Sequence, residues 1–466
     1  MTVSKQGRSG FTLAETIARR LRDDISAGTL LPGARLLSIR QAAVHFGVSK
    51  NTVVDAYELL VLSGDVIARA GSGFAVTSRG AAAAGSRPHH VTEAVDIASL
   101  LSAQLEQDFE VRVGDGRPPP SWTEESEIRR YLGAYGRALP LDSDAYGSAM
   151  GFLPMRQQLA RRLANQQIEA SENNLLLTFG ANHALDLIIR AMVLPGDTVF
   201  VDEPGYYPLF AKLKLARANV MGIARTPDGP DVEDFIAKTA TARGGLFFTQ
   251  SIGHNPTGGS ITLSVAHAVL NAATRHGILI VEDDPFADLP IVTQDNRLAR
   301  LGQLENVISV GTFSKTLSAS LRSGFIAARA DRISALAELK MLTTVNSSGH
   351  VERIIHRLIS DGHYDRHLKR LGRRIQHAAQ RVRTDLAKVG MTIFSDRSDG
   401  YYIYLRLPDR VDDIELAKQA AQQGILIASG SVFCLDRHSP HSRGMRVNIS
   451  RADNERFYHF LLHALA

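Results

Sequence analysis

Lys315 closes the string Gly311-Thr312-Phe313-Ser314-Lys315, and Arg322 follows seven residues later. A lysine beside two hydroxyls and an arginine suits an aldehyde cofactor that carries a phosphate. The amine forms a Schiff base, and Thr312, Ser314 and Arg322 hold the dianion. A second string, Glu282-Asp283-Asp284, ends the apolar run Ile278–Val281. Carboxylates at the end of a buried strand are costly unless paired. A pyridinium nitrogen is one suitable partner, because a carboxylate keeps it protonated and turns the ring into an electron sink. A metal is the rival partner, but no nearby His or Cys completes a ligand set.

Three further motifs precede these, each ambiguous alone. Gly180-Ala181-Asn182-His183 opens a helix directly after a strand, so its free N–H groups form an anion site; many such turns carry Gly for steric reasons only. Glu203-Pro204-Gly205-Tyr206-Tyr207 offers a tyrosine that stacks on a planar ring or simply fills core. His254-Asn255-Pro256-Thr257-Gly258 is turn chemistry that aims Asn255 above the sheet. A lone lysine is ordinarily a surface residue, and five motifs in one order argue against that for Lys315.

The elements that must position these residues are legible as well. Apolar runs at 175–179, 198–202, 246–250, 278–281 and 307–310 alternate with helix-length segments. This predicts an α/β fold with a mostly parallel central sheet and ligands at the carboxyl ends of its strands. The 466 residues suggest two or three domains, and 44% hydrophobic with 22% charged residues is ordinary for a globular chain. No apolar run reaches membrane-spanning length, and the first residues lack a signal-peptide core. Cys434 stands alone, which excludes an intramolecular disulfide and suits a reducing cytoplasm. No internal repeat is evident.

Residues 1–80 hold 10 Lys+Arg against 6 Asp+Glu, so +4 of the net +5 lies there. That permits a nucleic-acid partner without proving one. Leu13, Ile17, Leu21 and Ile25 mark one helix face, and Gly28 stops it. A short helix spans about 38–46 and turns at Gly47-Val48. Ser49 then caps a second helix with Val53, Ala56, Tyr57 and Leu60 inward and Lys50, Asn51 and Thr52 exposed. Strands near 66–69 and 74–77 flank Ala70-Gly71-Ser72-Gly73, with Arg69 placed to reach phosphate. Helix, Gly turn, helix and hairpin is the layout of a winged helix-turn-helix, whose second helix enters the major groove.

The string from Ile25 to Val76 resembles the GntR family of winged-helix regulators. Leu37 stands where that family usually has Pro, and Lys50 where Arg is commoner, which loses bidentate recognition of guanine. The resemblance implies Arg40, Ser49, Lys50, Asn51, Thr52 and Gly71 as DNA contacts. From about residue 111 onward, GANHAL, DEPGYY, HNPTG, VEDDPF, FSK with LRSGF, and GMRVNIS resemble the fold-type I aminotransferases. That resemblance implies a smaller C-terminal α+β subdomain and pyridoxal 5'-phosphate, with Lys315 as its Schiff-base lysine and Asp283 on the pyridine nitrogen. It further implies Asn255 on the phenolic oxygen, Tyr206 on the ring, and Ala181, Asn182, Thr312, Ser314 and Arg322 around the phosphate. Arg446 would clamp an amino-acid carboxylate, and Tyr146 would reach the neighbouring subunit's phosphate in a homodimer. Phe286 departs from the family, which generally has tyrosine there to help hold the phenolic oxygen; its absence weighs against efficient turnover.

Residues 1–78 as winged helix, 79–110 as linker and 111–466 as cofactor-binding domain resemble the MocR subfamily of GntR regulators. The resemblance implies a cytoplasmic regulator that binds double-stranded operator DNA and senses an amino compound or the cofactor itself. An active aminotransferase with an accessory DNA-binding domain is the alternative.

Overall fold

The computed structural model describes residues 12–26, 29–31, 33–62, 65–69, 73–77, 109–123, 128–135, 146–242, 244–292 and 294–465, which fall in two compact units. Residues 79–108 of the expected linker lie outside this set, as does Gly71.

The first unit contains α1 (Leu13–Ser26), α2 (Ile39–Phe46), α3 (Lys50–Leu62), β1 (Val66–Arg69) and β2 (Gly73–Val76). The buried face of α1 is Ala14, Ile17, Ala18 and Leu21, whereas Leu13 is 52% exposed. Ile17 and Leu21 are thus buried as expected, but a step of four residues drifts by about 40° per step around a helix of 3.6 residues per turn, which carries Leu13 off the face. Spacing of i, i+3, i+4, i+7 keeps one stripe against the core. Ser38 caps α2 in a capping box with Gln41, and Gly47 ends it at φ 66, where any side chain would be strained. Ser49 Oγ accepts from Thr52 N at 3.2 Å at the start of α3. Val53, Ala56, Tyr57 and Leu60 are buried as expected. Tyr57 Oη donates to the Leu37 carbonyl at 2.8 Å, an acceptor that the usual proline would also offer. β1 and β2 pair antiparallel, Val66 opposite Val76 and Arg69 opposite Gly73.

The second unit is three-layered. In chain order it runs α4 (Ile128–Tyr135), α5 (Leu153–Asn165), β3 (Leu175–Thr178), α6 (Ala181–Met192), β4 (Thr198–Glu203), α7 (Tyr207–Leu215), β5 (Asn219–Thr226), β6 (Gly229–Pro230), α8 (Val232–Thr239), β7 (Gly245–Thr249), α9 (Leu263–His276), β8 (Ile278–Asp283), α10 (Leu298–Asn306), β9 (Val307–Thr312), β10 (Gly324–Ala327), α11 (Ala330–Thr344), α12 (Gly349–Ser360), α13 (His363–Lys388), β11 (Thr392–Ile393), β12 (Tyr402–Arg406), α14 (Asp413–Gln422), β13 (Ala428–Ser429), β14 (Gly444–Asn448) and α15 (Glu455–Leu465). The main sheet has order β3-β10-β9-β8-β7-β4-β5-β6. Neighbours from β9 to β5 are parallel, while β10 runs against both β3 and β9. Its inner strands are covered on both faces, hence their continuous apolar runs. A second, antiparallel sheet, β11-β12-β14-β13, forms the smaller C-terminal part. Segment 111–114 is stitched to it: Leu426 N donates to Val111 O at 2.7 Å and Asn448 N to Val113 O at 2.7 Å. The parallel strands end on one side of the sheet, and there the motifs converge.

Candidate functional site

Lys315 follows β9 and is half-buried. Its Nζ donates to the Gly116 carbonyl at 2.6 Å, and Tyr402 Oη donates to the same oxygen at 2.9 Å. Tyr401 Oη donates to the Lys315 carbonyl at 2.8 Å, which fixes the backbone that carries the amine. Gly116 allows this close passage, since a Cβ there would lie 3.1 Å from the Arg446 guanidinium.

Asp283 ends β8. Side chains alternate along a strand, so Glu282 and Asp284 point the other way, where Arg297 pairs with them at 3.1 and 3.2 Å. Burial, with Glu282 nearby, still pushes the Asp284 carboxyl up, against the pull of Arg297. Asp283 receives no such partner: its Oδ1 is enclosed without a hydrogen bond among the described residues. Burial pushes this carboxyl up to about 7, against the pull of the Lys315 ammonium. An enclosed, unpartnered carboxylate oxygen fits the protonated ring nitrogen of a pyridoxal cofactor. Gln250, which sequence reasoning missed, bridges two of the site's loops. Its Nε2 donates to the Asp283 carbonyl at 2.9 Å and its Oε1 accepts from Asn255 N at 2.7 Å. The signal for it was its place at the polar end of the apolar run 246–250. Beneath it lies a buried cluster in which Asp202 accepts from Arg225 at 2.7 Å and Thr249 at 2.8 Å. His254 also faces Asp202, and its ring is held neutral, its pKa lowered to about 4 by burial.

The residues expected to hold a phosphate gather around Gly180, which opens α6 at φ 83 with no side-chain cap. A Cβ on Gly180 would sit 3.2 Å from the Arg322 guanidinium and 3.4 Å from Ser314 Oγ. Arg322 reaches this point from a left-handed backbone (φ 46), donating to the Phe179 carbonyl at 3.0 Å and to Ser314 Oγ at 3.4 Å. Thr312 Oγ1 accepts from Ser314 N at 3.2 Å and so shapes the turn. Ala181 is half-buried, and Asn182 is exposed on the first turn.

Arg446 lies on β14 and is 1% exposed. It donates to Asn255 Oδ1 and the Gly114 carbonyl, both at 2.8 Å, while its Nε is buried without a partner among the described residues. Its guanidinium lies 5.0 Å from the Tyr402 ring centre and 4.9 Å from that of Phe433. Asn255 is therefore tied to the expected carboxylate clamp. Tyr206 is half-buried at the start of α7, and burial pushes its hydroxyl well above the ordinary tyrosine range. Phe286 is wholly buried, packed edge-on against Tyr401 and Tyr402 with ring centres 5.2 and 5.9 Å away. Tyr146 lies apart from this group, 88% exposed.

In the first unit Arg40, Ser49, Lys50 and Asn51 are exposed. Among the described residues no side-chain hydrogen bond or ion pair is made by Arg40, Lys50 or Asn51. Thr52 is half-buried, and its hydroxyl is 2.8 Å from that of Ser49, so part of its polarity serves the helix start. Arg69 lies on β1, but the placement of its side chain is outside the described set.

Residues 118–461 match the model of the aminotransferase class I and II family. The chain belongs to that family. Residues 13–76 match the gntR family of bacterial regulatory proteins, a DNA-binding domain, so a GntR-type winged helix is fused to an aminotransferase-like domain. That order is the MocR arrangement. The HTH-type transcriptional regulator YdcR of Escherichia coli K12 is 27% identical over 90% of this chain and 91% of its own length. The HTH-type transcriptional regulator TauR of Rhodobacter capsulatus is 27% identical over 91% and 90%. Among solved structures, the Pyrococcus horikoshii kynurenine aminotransferase, crystallised with PMP, superposes with a TM-score of 0.72. It has 22% identity and covers 82% of this chain and 95% of its own. The aminotransferase fold read from the motifs is thus present, and so is the smaller C-terminal part.

Proposed function

We propose that this chain is a transcription regulator that binds double-stranded DNA through α3 and its hairpin, and uses the second unit to sense pyridoxal 5'-phosphate or an amino compound that reacts with it. The observation that carries this reading is the unpartnered Asp283 oxygen beside the Lys315 amine, in a chain that begins with a DNA-binding domain. When bound, the cofactor supplies an aldehyde that traps amines and a ring that accepts electrons. Lys315 Nζ is the amine that holds it, and Asp283 keeps its ring nitrogen protonated. Tyr206 covers the ring, and Gly180–Asn182, Thr312, Ser314 and Arg322 cradle its phosphate. Arg446 orients an incoming carboxylate, and Tyr146 completes the cup of a second copy in a homodimer. The regulator works in the cytoplasm, where its operator lies.

Sensing requires a ligand with different affinity for two states of the protein. Lys315 Nζ donates to the Gly116 carbonyl when no cofactor holds it, so taking up or giving up the cofactor would exchange that bond. The 111–117 segment hangs from the β12–β14 sheet, so this exchange changes the load on a segment that also contacts Arg446. Phe286 favours sensing over turnover, since no hydroxyl at that position assists Asn255. The second reading is an active aminotransferase, favoured by the retention of Lys315, Asp283 and Arg446 together. Keto-acid formation from a panel of amino donors, measured beside ligand-dependent DNA binding, separates the two. Steady turnover with DNA affinity indifferent to ligand rejects the regulator.

A further inference from the structure

The chain carries a net charge of +5, yet helix α13 alone has eight Lys and Arg against two Asp, a net of +6. Its inward face is apolar and fully used, with Leu368, Leu371, Ile375, Val382 and Leu386 buried in the core of the unit. The outward face is where the charge lies, recurring every three or four residues from Arg366 to Arg374 and more sparsely beyond. From Arg366 to Lys388 that face runs about 33 Å at 1.5 Å per residue.

The charges divide into two stretches. Towards the C-terminal end, Arg381 pairs with Asp453 at 2.9 Å and Lys388 with Asp385 at 2.8 Å. In the first half, Arg366, Lys369, Arg373 and Arg374 are exposed and none meets a carboxylate among the described residues. Arg366 donates to the Asp361 carbonyl and contacts the His363 ring. Arg373 donates to the Lys369 carbonyl. Arg374 donates to the Ser121 carbonyl at 2.9 Å and stacks 4.7 Å from the Trp122 ring centre, which holds its side chain in place. Asp365, the acid in the first turn, is taken by Arg162 at 2.7 Å. Like charges one turn apart repel and destabilise a helix. A row of them without acids is the complement of a polyanion.

We infer that the Arg366–Lys369–Arg373–Arg374 face of α13 is a second, sequence-independent DNA contact that grips the phosphate backbone. This rests on the reading that the first unit binds DNA, and it extends the protein's footprint onto its aminotransferase-like unit. One cation per turn is spaced about 5.4 Å apart, close enough to follow successive phosphates of one strand. A membrane surface is the poorer partner, since the apolar residues that would enter it are already buried in the protein core.

The test uses the full-length protein and a labelled 40-base-pair duplex of arbitrary sequence, titrated at several salt concentrations. The triple variant Arg366→Gln, Lys369→Gln, Arg373→Gln keeps good helix formers on an exposed face, and its far-ultraviolet circular dichroism serves as the folding control. Each lost phosphate contact lowers the log–log salt slope by about 0.9. The slope should therefore become shallower by about 2–3, and low-salt affinity should fall at least about tenfold. The double variant Arg40→Ala, Lys50→Ala should weaken binding independently of the triple. An unchanged slope in the triple, with weakened binding in the double, overturns this proposal and leaves the winged helix intact as a DNA reader. No effect of the double overturns the DNA-binding reading beneath it. Triple-variant loss confined to phosphatidylglycerol vesicles, with DNA binding intact, also overturns the proposal and assigns the face to a membrane.

Discussion

Asp283 is an acid whose surroundings oppose its charge. Its carboxyl is pushed up to about 7 from the ordinary 3.8 because burial outweighs the attraction of Lys315. For an acid with a raised pKa, the folded state binds the proton more tightly than the unfolded one. Without cofactor, the group therefore costs stability above pH 7, and the cost fades as pH falls from about 7 towards 4. Asp283→Asn should stabilise the cofactor-free protein by a few kcal/mol at pH 8, and that gain should vanish near pH 4, by thermal or urea unfolding. The same variant should bind pyridoxal phosphate more weakly. Lys315→Ala should abolish the absorption band of the lysine-bound cofactor; persistence of that band would place the reacting amine elsewhere. Phe286→Tyr restores the hydroxyl that the family usually carries. It should shift the pH at which that band titrates and raise any amine-transfer turnover.

Helix starts, strand ends and one buried lysine decide how these residues are held. Lys340 on α11 is wholly buried, and burial lowers its pKa to about 8. Its three donors reach the Ala149 and Leu177 carbonyls at 2.7 Å and Ser347 Oγ at 2.8 Å. Ser347 passes the link to Glu352, whose other oxygen accepts from Phe152 N at 2.8 Å. The network pins the segment that follows Tyr146 to β3, the strand leading into the Gly180 cup. Lys340→Met removes all three bonds and leaves the Ala149 and Leu177 carbonyls buried without this donor, so at about 1–3 kcal/mol per unsatisfied group it should cost about 2–5 kcal/mol in unfolding stability. Ser38→Ala, which removes the α2 capping box, should cost about 1 kcal/mol and leave the cofactor spectrum unchanged.

Much of this scaffold was legible in the sequence, because buried parallel strands read as apolar runs and each site motif lies at a strand end. β10 was not legible: it is a four-residue antiparallel insertion directly after the Arg322 turn, with no alternation to betray it. β5 was missed because only two of its eight residues are fully buried. Lys340 and Gln250 escaped because a buried network forms between residues far apart in the chain. The site motifs were legible from their order along the chain, whereas the bond between Arg446 and Asn255 needed the fold to bring residues 191 apart together.

At the scale of the whole molecule, a GntR-type DNA-binding domain and an aminotransferase-like domain lie in one chain. Nothing in either unit alone requires the coupling. It must be a free energy, typically a 5- to 150-fold change in affinity, that disappears when the reactive amine is removed. The decisive measurement is the affinity of full-length protein for DNA fragments selected from the source genome. It is taken without cofactor, with pyridoxal phosphate, and with pyridoxal phosphate plus each of a panel of amino acids, in wild type and in Lys315→Ala. The account predicts that wild-type affinity changes at least about fivefold on adding cofactor or one amino compound, and that Lys315→Ala shows no such change. Equal wild-type affinity in every ligand state, alongside steady amine transfer, would contradict it.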